Sequence, residues 1–86
     1  MTNDAMVDMI TQLLDAREAD ASICPSEVAR ALAPAHWRDL MPQIRAVAAE
    51  LALAGALRIT QGSVEIAPAA VLAGLTRGPL RLRRAT

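Results

Sequence analysis

Two side chains in this sequence are reactive enough to suggest catalysis: a single cysteine, Cys24, and a single histidine, His36. Cys24 directly precedes Pro25 at the start of a predicted helix, and a helix N-terminus activates a thiol as a nucleophile. A catalytic cysteine also needs a base beside it, and His36 lies twelve residues further on, beyond that helix, with few polar residues to assist it. The sequence therefore favours a small buried structural thiol over a catalytic one.

Residues for metal and nucleotide chemistry are also scarce. One cysteine and one histidine are fewer than the three or four ligands that a zinc site requires. Asp15, Glu18 and Asp20 cluster at a polar helix end, where exposure to solvent is the ordinary role of a carboxylate. No glycine-rich phosphate loop occurs, and the chain has no lysine to complete one. We therefore predict that the protein is not an enzyme and binds no metal or other cofactor.

Arginine is the residue type that remains to carry binding chemistry, and its distribution is uneven. The chain has nine basic and nine acidic residues, which gives a formal net charge of 0. Residues 1–43 hold three arginines and seven acids, a net charge of −4, whereas residues 44–86 hold six arginines and two acids, a net charge of +4. A basic half of this kind is typical of chains that contact phosphates or an acidic protein.

The arginines of the basic half are concentrated near the end of the chain. Arg81 and Arg83 lie in the last predicted strand, Arg84 directly follows it, and Arg58 and Arg77 are expected nearby. These side chains are candidate phosphate contacts. Charge on an exposed strand also discourages edge-to-edge aggregation. A basic strand that is only solvated and binds no phosphate is therefore an equal alternative.

Three helices are expected to position these residues. Large apolar residues at spacings of three and four predict the first helix, which Thr2 or Asn3 caps. Pro25 opens a second helix, and Pro42 lies in the first turn of a third, capped near residue 39 or 40 and closed by Gly55. The predicted helices are residues 4–17, 25–33 and 42–54.

After Gly55 the apolar residues alternate, and this period predicts a small antiparallel sheet. Gly62 begins the turn of a hairpin, and a third strand, with Leu80 and Leu82 facing inward, covers an edge of it. Pro68 starts one or two helical turns between them. The predicted strands are residues 57–61, 64–66 and 80–83, with a short extended segment at 22–24.

Length and composition limit the chain to one domain. Its 86 residues suffice for a single domain over residues 1–86, with a core between about residues 4 and 84. The most apolar stretches are shorter than the roughly 20 residues of a membrane-spanning helix. A lone cysteine offers no disulfide framework and the N-terminus is acidic, so we expect a cytoplasmic protein without a membrane span.

The predicted order of elements resembles the winged helix-turn-helix fold over roughly residues 4–84. Three phrases further resemble the signature of a small bacterial family, a domain of unknown function. In one-letter code they are ICPSEVA from residue 23, WRDLMP from residue 37 and RGPLRLR from residue 77. The resemblance implies an α+β winged-helix domain of three helices and a small antiparallel β-sheet. It implies no activity, because one fold hosts many functions.

By that resemblance the third helix takes the place of a DNA recognition helix, and the hairpin that of the wing. On the helix face opposite the predicted core, Gln43 and Arg45 suit base or phosphate contacts. Ala46, Ala49 and Leu53 on the same face suit a protein partner better.

Two functions follow and stay open at this point. The first is nucleic-acid binding or transcription regulation, on double-stranded DNA or on RNA. Its predicted contacts are Gln43, Arg45, Arg58, Arg81, Arg83 and Arg84. The second is protein–protein interaction or homodimerisation without DNA binding, through Ala46, Ala49 and Leu53.

Trp37 is the only aromatic residue of the chain. We predict that it fills the gap between the second and third helices, and the alternative is an anchor in a binding interface. Arg38 beside it either contacts a partner or pairs with Asp39 or Glu27 and supports the helix start.

Overall fold

The computed structural model describes residues 2–85, which form four helices and four short strands. In chain order the elements are α1 (Asn3–Asp15), β1 (Ser22–Ile23), α2 (Pro25–Leu32), α3 (Trp37–Leu53), β2 (Leu57–Gln61), β3 (Val64–Glu65), α4 (Pro68–Leu72) and β4 (Arg81–Arg84). The predicted α+β class is confirmed, and the arrangement is compatible with a winged-helix-like fold. Within residues 2–85 no helix combines the length and the apolar character needed to cross a membrane.

α2 begins at the predicted residue, and α1 begins one residue before the predicted start, at Asn3. Thr2 caps α1, because its hydroxyl accepts a hydrogen bond from the N–H of Ala5 at 3.2 Å. Pro25 is the first residue of α2. A backbone N–H at this position has no acceptor within the helix, so a proline here costs no hydrogen bond. Glu27 completes this N-terminus by accepting a hydrogen bond from the N–H of Cys24 at 2.7 Å.

The third helix begins earlier than predicted, at Trp37, so that Pro42 lies inside it. Pro42 removes one backbone hydrogen bond, whose acceptor would be the carbonyl of Arg38. Arg38 is exposed, so solvent can satisfy that carbonyl. Trp37 and Leu40 pack against the core and hold the turn that precedes the proline. Packing therefore outweighs the local proline signal.

Gly55 ends α3 in the left-handed conformation that its position predicts, with φ of 78°. The N–H of Ala56 donates to the carbonyl of Leu51 at 2.9 Å, as in a Schellman motif. The chain thus reverses within two residues and enters β2.

The four strands form one antiparallel sheet in the order β1-β4-β2-β3. β4 covers one edge of the hairpin, as predicted, and also pairs with β1 on its other side. Leu82 lies opposite both Ile23 and Ile59 on the face that packs against the helices. Arg58 lies opposite Arg83, and strand alternation places this pair on the outer face.

The core lies between the helices and the inner face of the sheet. Its buried apolar residues are Met6, Ile10, Leu14, Ile23, Val28, Ala29, Ile44, Val47, Ala48, Ala49, Leu57, Ile59, Val71, Leu80 and Leu82. Ala49 corrects a prediction, because its exposure of 0% removes it from any partner-binding face. It follows Arg45 by one turn, on the side of α3 against which α4 packs.

Candidate nucleic-acid interface

The outer face of the sheet carries three of the predicted contacts, Arg58, Arg81 and Arg83, which we call the sheet arginine face. Arg58 and Arg83 are directly opposite on neighbouring strands, and Arg81 precedes Arg83 by two residues on β4. Like charges in opposite positions repel each other and destabilise a sheet. A concentration of positive charge is thus built into this face.

One carboxylate partly neutralises this charge. Arg58 Nε donates to Glu65 Oε1 at 2.6 Å, and both side chains are largely exposed. An exposed ion pair of this kind contributes at most about 1 kcal/mol and yields to a competing anion.

Arg81 and Arg83 are held in place by neutral acceptors. Arg81 donates from Nε to the hydroxyl of Ser22 at 2.8 Å and from Nη2 to its carbonyl at 3.0 Å. Arg83 donates from Nε to the buried hydroxyl of Thr60 at 3.0 Å and from Nη1 to the carbonyl of Asp20 at 3.2 Å. Because a guanidinium has five N–H donors, each keeps its charge and several donors for an external anion.

A cavity of about 330 Å³ opens beside this face. Its lining consists of Ala19, Asp20, Arg58, Arg83 and Arg84. The lining thus has the three guanidiniums of the arginines and one carboxylate, that of Asp20. Arg84 Nε is buried and has no hydrogen-bond partner within residues 2–85. The cavity therefore suits an anion with several acceptor oxygens.

Arg84 itself serves the fold as well as the cavity. Its Nη2 donates to the carbonyls of Leu14 at 2.8 Å and Arg17 at 3.0 Å, at the C-terminal end of α1. That helix has no basic residue in its own last turn. A cation from the far end of the chain thus caps α1 and complements the helix dipole.

The predicted contacts on α3 are turned toward the protein itself. Gln43 donates to Asn3 Oδ1 at 2.9 Å, and Arg45 Nη2 donates to the carbonyl of Gly78 at 2.8 Å. The residues of α3 that follow the exposed Arg38 and are themselves exposed are Asp39, Pro42, Ala46, Glu50 and Leu53. This solvent face has two acids and no arginine, so it would repel a phosphate backbone.

An apolar groove of about 370 Å³ lies between α3 and α4. Its lining consists of Met41, Pro42, Arg45, Ala46, Val71, Leu72, Gly74 and Thr76. Leu53 and Leu75 are also exposed, to 62% and 75%. Of the predicted partner residues, Ala46 and Leu53 are therefore on the surface and Ala49 is not.

The corner between α2 and α3 holds Arg30, Trp37 and Arg38, which we call the corner cluster and which the sequence predicts only in part. Trp37 is half-buried and packs against the core, as predicted. The guanidinium carbons of Arg30 and Arg38 lie 4.4 and 4.6 Å from its ring centroid. Arg30 was not predicted, although two arginines flanking a tryptophan across a short link are a signal for such a cluster. Glu27, a predicted partner of Arg38, is instead paired with Arg17 at 2.7 Å.

The two reactive side chains lie at the N-caps of different helices, Cys24 at that of α2 and His36 at that of α3. Cys24 is half-buried rather than buried, and its Sγ accepts a hydrogen bond from the hydroxyl of Ser26 at 3.1 Å. His36 is exposed at the N-cap of α3. Among residues 2–85 no three His, Cys, Asp or Glu side chains are grouped so as to hold a metal ion.

Comparison with known proteins agrees with the resemblance to a family of unknown function. A search of curated proteins finds no match to the chain. Residues 3–85 match the family described as protein of unknown function, DUF3253. The match spans α1 to β4 and so includes the sheet arginine face and the corner cluster. The chain belongs to the DUF3253 family of proteins of unknown function.

Proposed function

We propose that this protein binds the phosphate backbone of a nucleic acid through its sheet arginine face, on a winged-helix frame. The observation that carries the proposal is the direct opposition of Arg58 and Arg83, beside Arg81, with Glu65 as the one carboxylate among residues 2–85 that forms an ion pair with this face. Guanidiniums bind phosphates with paired, charge-assisted hydrogen bonds. A phosphate backbone would relieve the repulsion that this arrangement creates.

The acidic and apolar face of α3 refines the proposal. A helix that carries Asp39 and Glu50 on its solvent side and holds Arg45 in an internal hydrogen bond has little means of base recognition. Backbone contacts alone position a protein without specifying a sequence. We therefore expect binding that depends on charge and not on base sequence.

The test is fluorescence anisotropy of a labelled random-sequence DNA duplex at about 50 mM and about 200 mM salt. The expected result is a Kd of about 1–100 µM that weakens steeply as salt rises. Arg58→Gln should lower the slope of log affinity against log salt by about one, since it removes one phosphate contact. A single-stranded RNA of the same length distinguishes the two classes of nucleic acid.

Arg77→Gln is the matched control, because Arg77 is an exposed arginine outside the strands and its loss changes the net charge equally. Equal effects of the two substitutions would reduce the proposal to general charge attraction. Absence of binding at the lower salt concentration would overturn it.

The apolar groove supports a second candidate function, docking of a protein partner such as a second copy of the chain. Leu72 lines the groove at 46% exposure, and Leu53 and Leu75 are more exposed still. Exposed apolar patches mark protein interfaces. Sedimentation velocity should then show association that Leu72→Glu abolishes, while a monomer at all concentrations would exclude self-association.

A further inference from the structure

The corner cluster, which consists of Arg30, Trp37 and Arg38, is set apart from the sheet arginine face. Arg30 lies in the last turn of α2, and Trp37 and Arg38 are the first two residues of α3. Both guanidiniums lie within 4.6 Å of the centroid of one indole ring. Because the ring packs against the core, it holds both cations in defined positions.

Neither cation of this cluster is neutralised by the protein. Within residues 2–85 the ion pairs are Arg17 with Glu27 and Arg58 with Glu65, and neither Arg30 nor Arg38 has a hydrogen-bonded or ion-paired partner. Asp39 is the acidic neighbour in the first turn of α3, and it forms no ion pair with Arg38. The cluster therefore carries two fixed charges whose donors are free.

We infer that the corner cluster is a binding site for a phosphate-bearing ligand. The N–H donors of a guanidinium lie in its own plane and point outward, so a guanidinium that lies over a ring keeps donors available to an oxyanion. The two guanidinium carbons are at most about 9 Å apart, so one ligand with two phosphate groups reaches both. Such a ligand matches the two charges and supplies the acceptor oxygens that paired guanidinium donors require.

This site goes beyond the proposed function, because it shares no residue with the sheet arginine face. The phosphate groups have two sources, a free diphosphate compound or two neighbouring phosphates of a nucleic-acid backbone. The chemistry of recognition is the same for both, and the experiment separates them.

The sequence provides a probe of this site alone. Trp37 is the only tryptophan, and the chain has no tyrosine or phenylalanine, so intrinsic fluorescence reports on the corner cluster. Sodium pyrophosphate is titrated at constant ionic strength, and both the emission of Trp37 and its single indole N–H NMR signal are followed. The expected result is a saturable change, weakened roughly tenfold or more in Arg30→Gln and in Arg38→Gln.

Arg77→Gln is the charge-matched control and should leave the pyrophosphate affinity unchanged. Retention of binding in the double variant Arg30→Gln, Arg38→Gln would overturn the inference. So would equal losses in Arg30→Gln, Arg38→Gln and Arg77→Gln, or no saturable change in either signal up to about 10 mM pyrophosphate.

A second arm replaces pyrophosphate with an unlabelled DNA duplex. If the duplex changes the emission or the indole N–H signal of Trp37, and added pyrophosphate reverses that change, the site binds backbone phosphates. A response to pyrophosphate alone assigns it to a free phosphate compound, and both results support the site. Failure of the proposed function is distinguishable, because it appears as unchanged duplex anisotropy in Arg58→Gln, whatever Trp37 does.

Discussion

At the sheet, Arg81 and Arg84 each donate two hydrogen bonds to other parts of the chain, whereas at the corner Arg30 and Arg38 contact a ring and donate none within residues 2–85. The residue type is the same, but the fold uses part of its donors in one region and leaves all of them to solvent in the other. An arginine with donors bound to the fold stabilises the protein and keeps only its remaining donors for an anion, whereas one with all donors free is fully available to a ligand. Substitutions should therefore rank in opposite orders for stability and for binding.

The largest loss of stability is expected for Arg84→Ala. This change leaves the carbonyls of Leu14 and Arg17 without their donor and removes a cation from the end of α1. We expect the free energy of unfolding to fall by about 1–3 kcal/mol, measured by urea denaturation. Arg84→Lys keeps the charge and should recover part of the loss. A change below about 0.5 kcal/mol would show that the cap is not needed.

The next effect is expected for Arg81→Ala, which removes both hydrogen bonds to Ser22. β1 pairs with the sheet through two residues only, so its attachment depends strongly on this side chain. We expect a loss of about 1 kcal/mol, with faster hydrogen exchange at the amides of β1 than at those of β2. Ser22→Ala, which removes the hydroxyl and keeps the carbonyl, should have a smaller effect. Equal exchange in both strands would contradict this role.

The same comparison shows what the sequence could predict and what it could not. Helix and strand positions follow from local signals. Two of these signals, the cap at Thr2 and the left-handed Gly55, are confirmed by the structure. The roles of the arginines depend on distant partners: Arg81 and Ser22 are 59 residues apart, and Arg84 and Leu14 are 70 apart. Spacing along the chain contains no information on such contacts.

The two errors on α3 have the same origin. Pro42 predicts a helix start, but the packing of Trp37 adds a turn before it. Ala49 lies on the predicted solvent side, but α4 packs against that side. Both outcomes depend on tertiary packing, which overrides local preference.

A small effect on stability is expected for Arg58→Gln. The ion pair with Glu65 is largely exposed, so its loss should change the free energy of unfolding by about 0.5 kcal/mol or less. Removal of the charge opposite Arg83 partly offsets that loss, since it relieves repulsion between the strands. Thermal denaturation of Arg58→Gln beside Glu65→Gln separates these contributions. If Glu65→Gln is the more destabilising of the two, the repulsion between the arginines is real.

The smallest loss of stability for a single substitution is expected at the corner, for Arg38→Gln. Arg38 is exposed, and a cation–π contact at an exposed site contributes about 0.5–1 kcal/mol, part of which is offset because Arg38 and Arg30 are two like charges on the same ring. We therefore expect a change of about 0.5 kcal/mol or less, measured by urea denaturation beside Arg77→Gln. A loss as large as that of Arg84→Ala would mean that the fold itself uses the pair of cations, and the corner would then be a structural joint between α2 and α3. A small loss would show that the fold does not depend on the charge of Arg38, so that this guanidinium is available to a ligand.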